Sequence, residues 1–296
     1  MLKVAEVTKY YGDFLAVDNL SFEVKEGEIF GLLGANGAGK TTTFRMIMSL
    51  LEPDHGEITL DGKKIDYDTM EKVGFLTEER SLLTKMTVEE QILYYGRLKG
   101  MAEDVILKRL DELLERFGIW SYKKRKIKEL SKGNQQKIQF ISAIINEPKL
   151  LILDEPFTGL DPINVKKFKE EIFRLKEKGC MIIFSSHQME HIEQFCEKLV
   201  LLVKGKVVLS GYLKDIKKEY QKMNIFIQGG VSKEELEKVP GVLKVVQVAD
   251  EKQVKIQDES VIGDVFKVVK KYDTRKFVVE EASLNEIFIE KVGEVL

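Results

Sequence analysis

The sequence contains few of the features that mark secreted or membrane-spanning proteins. Only two of its 296 residues are cysteine, Cys180 and Cys196, and they lack the spacing of a metal site. The longest apolar runs, such as residues 199–203, are far shorter than the ~20 residues that a membrane-spanning helix needs. The N-terminal stretch also lacks the apolar segment of a signal peptide. We therefore expect a cytosolic chain that does not itself cross a bilayer.

An excess of charge of one sign is also missing. The 47 basic and 49 acidic residues leave a formal net charge of −2. Because binding to nucleic acid requires a surplus of lysine and arginine, we do not expect nucleic acid as a partner. The 44% of hydrophobic and 32% of charged residues are typical of globular proteins, and this length allows more than one domain.

The first third of the chain predicts a strand, a glycine-rich turn and a helix. The continuous apolar run Ile29–Leu33 is typical of a strand buried on both faces. Thr41–Leu51 has the pattern of a helix, and the alternating residues of Leu20–Val24 predict a half-buried strand. Strand, glycine turn and helix are the setting that a phosphate-binding loop requires.

The middle of the chain is predicted to be helical, over about residues 84–147. Val88–Leu98 and Val105–Phe117 carry apolar residues at three- and four-residue spacing. Strand patterns then return at Leu150–Leu153, Met181–Ser185 and Leu199–Val203. This alternation of strands and helices predicts an α/β fold with a mostly parallel sheet and a helical subdomain inserted into it.

The pattern changes near Gly211, and we place a domain boundary between residues 215 and 216. The predicted order of the second domain is β-α-β-β-α-β, from segments 225–228, 233–239, 242–248, 254–257, 262–272 and 276–279. This order predicts a small α+β domain of ferredoxin-like type. A last helix is predicted to start at Ser283, with Glu286 completing a capping box.

Residues 34–41 match the phosphate-loop pattern G-x-x-x-x-G-K-[ST] in full. In such a loop, backbone N–H groups surround the phosphates at a helix N-terminus. Lys40 would contact the β- and γ-phosphates, and the Thr41 hydroxyl would bind Mg²⁺. The residues expected to bind ATP here are Gly34, Asn36, Gly37, Ala38, Gly39, Lys40, Thr41 and Thr42. The alternative, a glycine-rich turn with an unrelated lysine, is disfavoured by the strand and helix on either side.

Two carboxylates, Asp154 and Glu155, follow the apolar run that starts at Leu150. At the carboxyl end of a buried strand, Asp154 is predicted to lie beside the Mg²⁺ ion and Glu155 near the γ-phosphate. A carboxylate there can polarise the attacking water. The alternative is a strand that ends in a solvated acidic turn.

The segment 130–136, Leu-Ser-Lys-Gly-Asn-Gln-Gln, looks like the signature motif of the ABC ATPases. Other segments resemble further motifs of that family in the same order. They are Tyr11-Gly12 (adenine-stacking loop), Gly159-Leu160-Asp161 (D-loop) and Ser185-Ser186-His187 (switch histidine). The resemblance covers roughly residues 1–215. It implies a P-loop NTPase fold of ABC type, with ATP and Mg²⁺ as ligands.

The resemblance also implies a mechanism in which two nucleotide-binding domains close head to tail. Ser131 and Gly133 of one chain would complete the ATP site of the other, which is a second copy or a related chain. His187 would contact the γ-phosphate beside Glu155, and Asp161 would couple the two sites.

The resemblance assigns Tyr11 to stacking on adenine. Tyr10 and Phe14 remain open as alternatives for this role, and any of the three could pack in the core instead.

Two positions depart from the family pattern. Glu78 stands where glutamine is usual in the loop Gly74–Glu78, and it could bind Mg²⁺ directly or through water. Lys132 stands where glycine is usual in the signature. If its backbone needed a positive φ, the lysine would be strained.

The stretch Glu78-Glu79-Arg80 and the signature resemble the NatA-like branch of ABC ATPases, which is linked to sodium export. The second domain with its ending Ser-Leu-Asn-Glu-Ile-Phe also resembles the tail of NatA-like and drug-exporter-type ATPases. The resemblance implies an ATPase at the cytoplasmic face of the membrane. It would drive export of sodium ions or of a drug-like molecule through separate transmembrane permease subunits.

Three other classes of ABC ATPase were considered. DNA-repair ATPases need a long coiled-coil insertion, and translation factors carry two nucleotide domains in one chain. Iron–sulfur assembly ATPases would lack the second domain. That domain could regulate turnover, stabilise the dimer, contact the membrane subunit or only stabilise the fold.

Overall fold

The computed structural model describes residues 1–79 and 81–294, without the side chains of residues 67 and 68. Arg80, the last residue of the stretch that resembles the NatA-like branch, lies outside this description. The chain divides into two compact units, Met1–Ser210 and a second unit that begins at Gly211. The sequence pattern placed this boundary at residue 215, a few residues later, beyond the end of the strand that runs from Lys206 to Tyr212.

The strands up to the boundary are β1 (Leu2–Tyr11), β2 (Phe14–Val24), β3 (Ile29–Gly34), β4 (His55–Leu60), β5 (Lys63–Lys64), β6 (Val73–Leu76), β7 (Leu150–Asp154), β8 (Met181–Ser185), β9 (Lys198–Val203) and β10 (Lys206–Tyr212). The helices of this unit are α1 (Lys40–Ile47), α2 (Tyr67–Met70), α3 (Val88–Leu98), α4 (Glu103–Phe117), α5 (Lys132–Ile144), α6 (Pro162–Glu177) and α7 (Met189–Phe195). Strands and helices alternate as the sequence predicts, which confirms the α/β class.

The central sheet of the first unit has the strand order β10-β9-β3-β8-β7-β6. Strand β3 is parallel to both β8 and β9, and β7 is parallel to β6 and β8. Every residue of β7 and β8 is buried, because parallel strands are covered on both faces. The carboxyl ends of β3, β7 and β8 lie at one edge, where Gly34, Asp154 and Ser185 end their strands.

A second sheet of this unit is antiparallel, with the order β2-β1-β4-β5. The sequence pattern predicts only the segment Leu20–Val24 of this sheet. Strand β1 is not predicted, because register shifts in the β1–β2 pairing interrupt the alternation of buried and exposed residues.

The helical segment contains α3, α4 and α5. Helix α3 has the predicted bounds and begins with a capping box between Thr87 and Glu90. Helix α4 begins two residues before the predicted start and ends at Gly118, which has a left-handed backbone (φ 66°). The rings of Phe140 on α5 and Phe168 on α6 stack at 4.5 Å between centroids, so the signature helix packs against the helix that follows β7.

The predicted end of α1 was wrong. The helix ends at Ile47 rather than Leu51, and Ser49 has a left-handed φ of 54°. Since a left-handed residue cannot continue a right-handed helix, the chain leaves the helical path although its apolar pattern continues.

The second unit contains four strands and four helices among its described residues. The strands are β11 (Met223–Gly229), β12 (Val242–Val248), β13 (Glu251–Ile256) and β14 (Thr274–Glu281), and the helices are α8 (Leu213–Tyr220), α9 (Lys233–Glu237), α10 (Ile262–Val269) and α11 (Leu284–Gly293). The sheet is antiparallel with the order β12-β13-β11-β14. This β-α-β-β-α-β arrangement confirms the ferredoxin-like prediction. Ser283 and Glu286 form the predicted capping box at the start of α11.

None of the helices within the described residues is long and apolar enough to span a bilayer.

Gly74 on β6 lies where α5 approaches most closely. A Cβ atom at this position would be 2.2 Å from the carbonyl oxygen of Ala143 and 3.0 Å from Pro148 Cγ. We therefore expect Gly74→Ala to lower the free energy of unfolding by about 2 kcal/mol, because backbone atoms must move apart. Urea denaturation of the full chain measures this change.

Gly263 on α10 is the matched control, because a Cβ atom there meets nothing within 4 Å. Gly263→Ala should be neutral or raise stability by about 0.5 kcal/mol. Equal stability of Gly74→Ala and wild type would contradict the close packing of α5 on β6.

Candidate functional site

The predicted phosphate loop connects β3 to α1, and three of its glycines have positive φ angles. A Cβ atom on Gly34 (φ 153°) would lie 2.6 Å from Leu202 O, and one on Gly39 (φ 106°) would lie 2.7 Å from Ala16 O. These two glycines therefore let the loop pack directly on its neighbours. A Cβ atom on Gly37 (φ 79°) would meet nothing within 4 Å, and Gly37 lines the pocket described below. The backbone thus presents one uncovered face, as close approach to a phosphate requires.

Lys40 lies across this loop. Its Nζ atom donates hydrogen bonds to Gly34 O at 2.6 Å and to Ala35 O at 3.2 Å. Burial lowers the pKa of the Lys40 ammonium, while the carboxylates of Asp154 and Glu155 act in the opposite direction. A phosphate group can replace the two carbonyl acceptors and form a stronger, charge-assisted hydrogen bond.

Asp154 ends β7 directly opposite Ser185, which ends β8. The Ser185 hydroxyl donates a hydrogen bond of 2.5 Å to Asp154 Oδ1. Burial raises the pKa of the Asp154 carboxyl, and the hydrogen bond from Ser185 partly offsets this rise. The parallel pairing of the two strands therefore fixes the orientation of this carboxylate.

Glu155 has a left-handed backbone with a φ of 50°, a conformation that costs a non-glycine residue about 1 kcal/mol or more. Its Oε2 atom lies 2.9 Å from His187 Nδ1 and accepts a hydrogen bond of 3.3 Å from Ser186 Oγ. Burial raises the pKa of the Glu155 carboxyl, and His187 acts against this rise. The strained backbone and the two partners hold the carboxylate in one position.

One pocket of about 850 Å³ joins these groups, a size that suits a nucleotide. Its lining residues are Tyr11, Phe14, Ala16, Gly34, Ala35, Asn36, Gly37, Ala38, Gly39, Lys40, Thr41, Thr42, Glu78, Asp154, Glu155 and His187. The pocket therefore brings together the predicted phosphate-loop residues, Asp154 at the end of β7, Glu155 directly after it, Glu78 and His187.

The aromatic side chains of the β1–β2 hairpin differ in their relation to this pocket. Tyr11 and Phe14 are paired at the end of the hairpin, and both line the pocket. Tyr10 is paired with Leu15 and is not among the described lining residues. Of the three candidates for adenine stacking, Tyr11 and Phe14 remain.

The signature residues Ser131 and Gly133 are not among the described residues that line the pocket. Ser131 is exposed and caps α5 by accepting a hydrogen bond of 3.3 Å from Asn134 N. Lys132 is the first residue of α5 and has a right-handed helical backbone, so the strain considered for this position does not arise. Asp161 caps α6 in the same way, by accepting from Asn164 N at 2.9 Å.

Sequence analysis did not assign a site role to Ser185 or Ser186. Both donate hydrogen bonds to the carboxylates of the pocket. The signal for them was the Ser-Ser pair between a buried strand and His187, but only the strand pairing shows which carboxylate each serine contacts.

Comparison with known proteins agrees with this geometry. Residues 17–158 match the family model described as ABC transporter, and residues 211–292 match the C-terminal domain of DrrA1-3-like ATP-binding proteins. The chain is 49% identical over its whole length to YhaQ of Bacillus subtilis, described as an uncharacterized ABC transporter ATP-binding protein, and covers 99% of it. This chain belongs to the ABC transporter ATP-binding proteins.

Two more relatives extend the comparison. NatA of Bacillus subtilis, an ABC transporter ATP-binding protein, is 40% identical to this chain. The alignment covers 68% of this chain and 83% of NatA. The bacitracin transport ATP-binding protein BcrA of Bacillus licheniformis is 30% identical over 99% of this chain and 97% of BcrA.

Solved structures resemble the first unit. The ATP-binding subunit of an ABC transporter has a TM-score of 0.71 at 32% identity, over 74% of this chain and 93% of that chain. A dimeric ATP-binding cassette in a post-hydrolysis state with ADP and Pi has a TM-score of 0.66 at 26% identity, over 72% and 99%. The fold is therefore that of the ABC-type P-loop NTPases.

The burial of Glu155 predicts how the stability of this ABC protein depends on pH. Because its pKa is raised in the folded state, ionisation of Glu155 disfavours folding, and stability is lost as pH rises from the ordinary carboxyl range through the raised pKa. Without nucleotide, we expect Glu155→Gln to melt at a higher temperature than wild type at about pH 8. The gap between the two melting temperatures should narrow at about pH 5.

Scanning calorimetry at both pH values measures this gap. Glu170→Gln, at an exposed position of α6, is the control and should leave the melting temperature unchanged at both. A gap that stays constant or widens at the lower pH would contradict the role of the buried charge.

Proposed function

We propose that this chain binds and hydrolyses MgATP as the energy-coupling subunit of an ABC exporter. The observation that carries the proposal is the position of Glu155. Its carboxylate is held by His187 and Ser186 in the same pocket as the phosphate loop and Lys40. A fixed carboxylate beside a phosphate-binding loop can activate water for attack on the γ-phosphate.

The residues of the pocket are suited to a magnesium nucleotide. The Thr41 side chain is exposed in the pocket, and Asp154 and Glu78 supply two carboxylates, which are the oxygen ligands that Mg²⁺ prefers. When bound, the metal would neutralise charge on the phosphates. Lys40 and the backbone N–H groups of residues 34–42 would hold the phosphates in position.

Glu155 would act as the general base. It would accept a proton from the attacking water while the water oxygen bonds to the γ-phosphorus and ADP leaves. The raised pKa of Glu155 suits this role, because a base is most effective when its pKa approaches the working pH. His187, with its side chain 69% exposed and its Nδ1 on Glu155, would orient the base and contact the γ-phosphate.

We also propose that two such chains close head to tail over the nucleotide. Ser131 and Gly133 lie outside the pocket that their own chain forms, on the α5 side of the D-loop, where Gly159 O would be 3.8 Å from a Cβ on Gly133. The backbone N–H groups at the start of α5 could therefore bind the phosphate of a nucleotide that a second chain holds. The dimeric cassette with ADP and Pi supports this arrangement.

The membrane partners would be separate permease subunits, and this chain would bind them at the cytoplasmic face. The name of BcrA, a bacitracin transport protein, supports export of a drug-like molecule. Sodium ions remain within the proposal as an alternative cargo. We further propose residues 1–215 as the nucleotide-binding domain and 216–296 as an accessory domain.

Glu155→Gln should abolish hydrolysis and preserve binding. We expect steady-state hydrolysis of ATP to fall at least about a hundredfold, because the amide cannot accept the proton. ATP should bind with unchanged affinity and convert the variant to a dimer, as measured by light scattering after size-exclusion chromatography. Immobilised variant with ATP should also retain a polytopic membrane protein from solubilised native membranes.

Glu193→Gln on α7 is the control and should hydrolyse ATP like wild type. Hydrolysis by Glu155→Gln at the wild-type rate would refute the assignment of the base. Retention of ribosomes or DNA in place of a membrane protein would refute the role in transport.

Tyr11→Ala should weaken ATP binding by about tenfold, because a stacked base contributes about 1–3 kcal/mol. Tyr11→Phe should restore affinity, since the ring alone stacks. Tyr10→Ala is the matched control from the same strand and should change affinity by less than about twofold. Fluorescence titration measures all three. A loss seen with Phe14→Ala and not with Tyr11→Ala would transfer the role to Phe14.

A further inference from the structure

The loop after β6 brings Glu78 to the nucleotide pocket, and a side chain from the signature helix holds this loop. Gln139 on α5 is only 4% exposed. Its Nε2 atom donates to Thr77 O and Thr77 Oγ1, both at 3.0 Å, and to Glu79 O at 3.1 Å. The residues on both sides of Glu78 are therefore attached to α5 by one amide group.

We propose that Gln139 is a positioning residue that directs Glu78 into the nucleotide pocket and links it to the helix that begins at Ser131. The inference rests on the proposed function, in which Glu78 is a ligand of Mg²⁺. Gln139 itself touches neither metal nor nucleotide in this scheme. It acts by fixing the backbone that carries the ligand.

The hydrogen-bond inventory explains why an amide is needed at position 139. The two carbonyl oxygens of the loop can only accept, and the Thr77 hydroxyl already donates to Glu79 O. Glu79 O already has this donor, so Thr77 O and Thr77 Oγ1 are the two acceptors that depend on the two N–H groups of the Gln139 amide. A carboxylate or an apolar side chain of similar size would leave these two acceptors without this donor at a partly buried position.

The orientation of the amide has a cost that structural packing alone does not explain. With its nitrogen directed at the loop, the Oε1 atom of Gln139 is buried and has no hydrogen-bond partner among the described residues. An unpaired buried oxygen is unfavourable, because it has lost its hydrogen bonds to water. By contrast, Gln91 on α3 is also fully buried, but it uses both ends of its amide, on Ser142 Oγ and Leu83 N.

The same helix also reaches the loop that carries the proposed base. Gln136, three residues before Gln139, is 3% exposed and donates a hydrogen bond of 3.1 Å to Pro156 O. Residues three apart lie on one face of a helix. One face of α5 thus contacts the backbone next to Glu78 and next to Glu155, so a shift of the signature helix would move both loops.

Gln139→Leu tests the proposal, because it keeps the size of the side chain and removes the donor. Without nucleotide or metal, amide hydrogen exchange in residues 77–79 should be about tenfold faster than in wild type. In binding titrations with a fluorescent anthraniloyl derivative of ATP, the half-saturating Mg²⁺ concentration should rise by about tenfold. That size is typical when a residue behind a metal ligand is removed.

Gln91→Leu is the control for a purely structural effect. It removes an equally buried glutamine from the same helical segment but does not touch residues 77–79. We expect it to lower the melting temperature as Gln139→Leu does and to leave the Mg²⁺ requirement within about twofold of wild type. Equal effects of the two variants on the Mg²⁺ requirement would overturn the proposal.

A double-mutant cycle with Glu78→Ala, which removes every side-chain oxygen at this position, shows whether Gln139 acts through Glu78. Once the carboxylate is gone, adding Gln139→Leu should change the half-saturating Mg²⁺ concentration by less than about twofold. A tenfold rise of the half-saturating Mg²⁺ concentration in that background would overturn the proposal for Gln139. It would not contradict the proposed ATPase function. If wild type did not bind the nucleotide at all, the proposed function would fail first, and this inference with it.

Discussion

The parallel register of three strands is the constraint on which the site depends. Gly34, Asp154 and Ser185 end β3, β7 and β8 at one edge of the sheet. Because β7 and β8 pair residue by residue from Leu150–Met181 to Asp154–Ser185, the serine meets the carboxylate without any flexible connection. A slip by one residue would turn each of these side chains to the opposite face of the sheet. The buried core that fixes the register therefore also fixes the chemistry.

This arrangement places two carboxylates side by side in a buried position, which is electrostatically unfavourable. Asp154 and Glu155 are adjacent and buried, both have raised pKa values, and Glu155 also has a left-handed backbone. Lys40 is a compensating charge for both carboxylates, and burial lowers its own pKa. A ligand that brings a divalent cation to the carboxylates and phosphates to the lysine relieves both conditions at once. The proposed binding of a magnesium nucleotide would in this way relieve an unfavourable arrangement of charges in the pocket.

The sequence predicted those parts of the fold and site that depend on local pattern. The apolar runs of β3, β7 and β8, the Gly-rich loop and the pair Asp154-Glu155 are contiguous in the chain, so their spacing alone predicts a strand edge with phosphate-binding and acidic groups. The β1–β2 hairpin was largely missed, because bulges disturb its alternation. Gln139 could not be found in this way. In sequence it is one more polar residue of a helix, and its function depends on a loop from β6 that only the tertiary fold brings near.

Lys132 shows that a sequence pattern can also suggest strain where the structure has none. Sequence comparison with the family pattern raised the question of strain there, because glycine is the usual residue. The structure removes this concern, since Lys132 begins a regular helix and needs no positive φ. Ser131 caps this helix and Gly133 lies in its first turn, and neither is among the described residues that line the pocket. A helix end preformed in this way loses little conformational entropy on binding. In the proposed dimer, closure would then depend on the nucleotide, and α5 would transmit the resulting shift to the loops that carry Glu78 and Glu155.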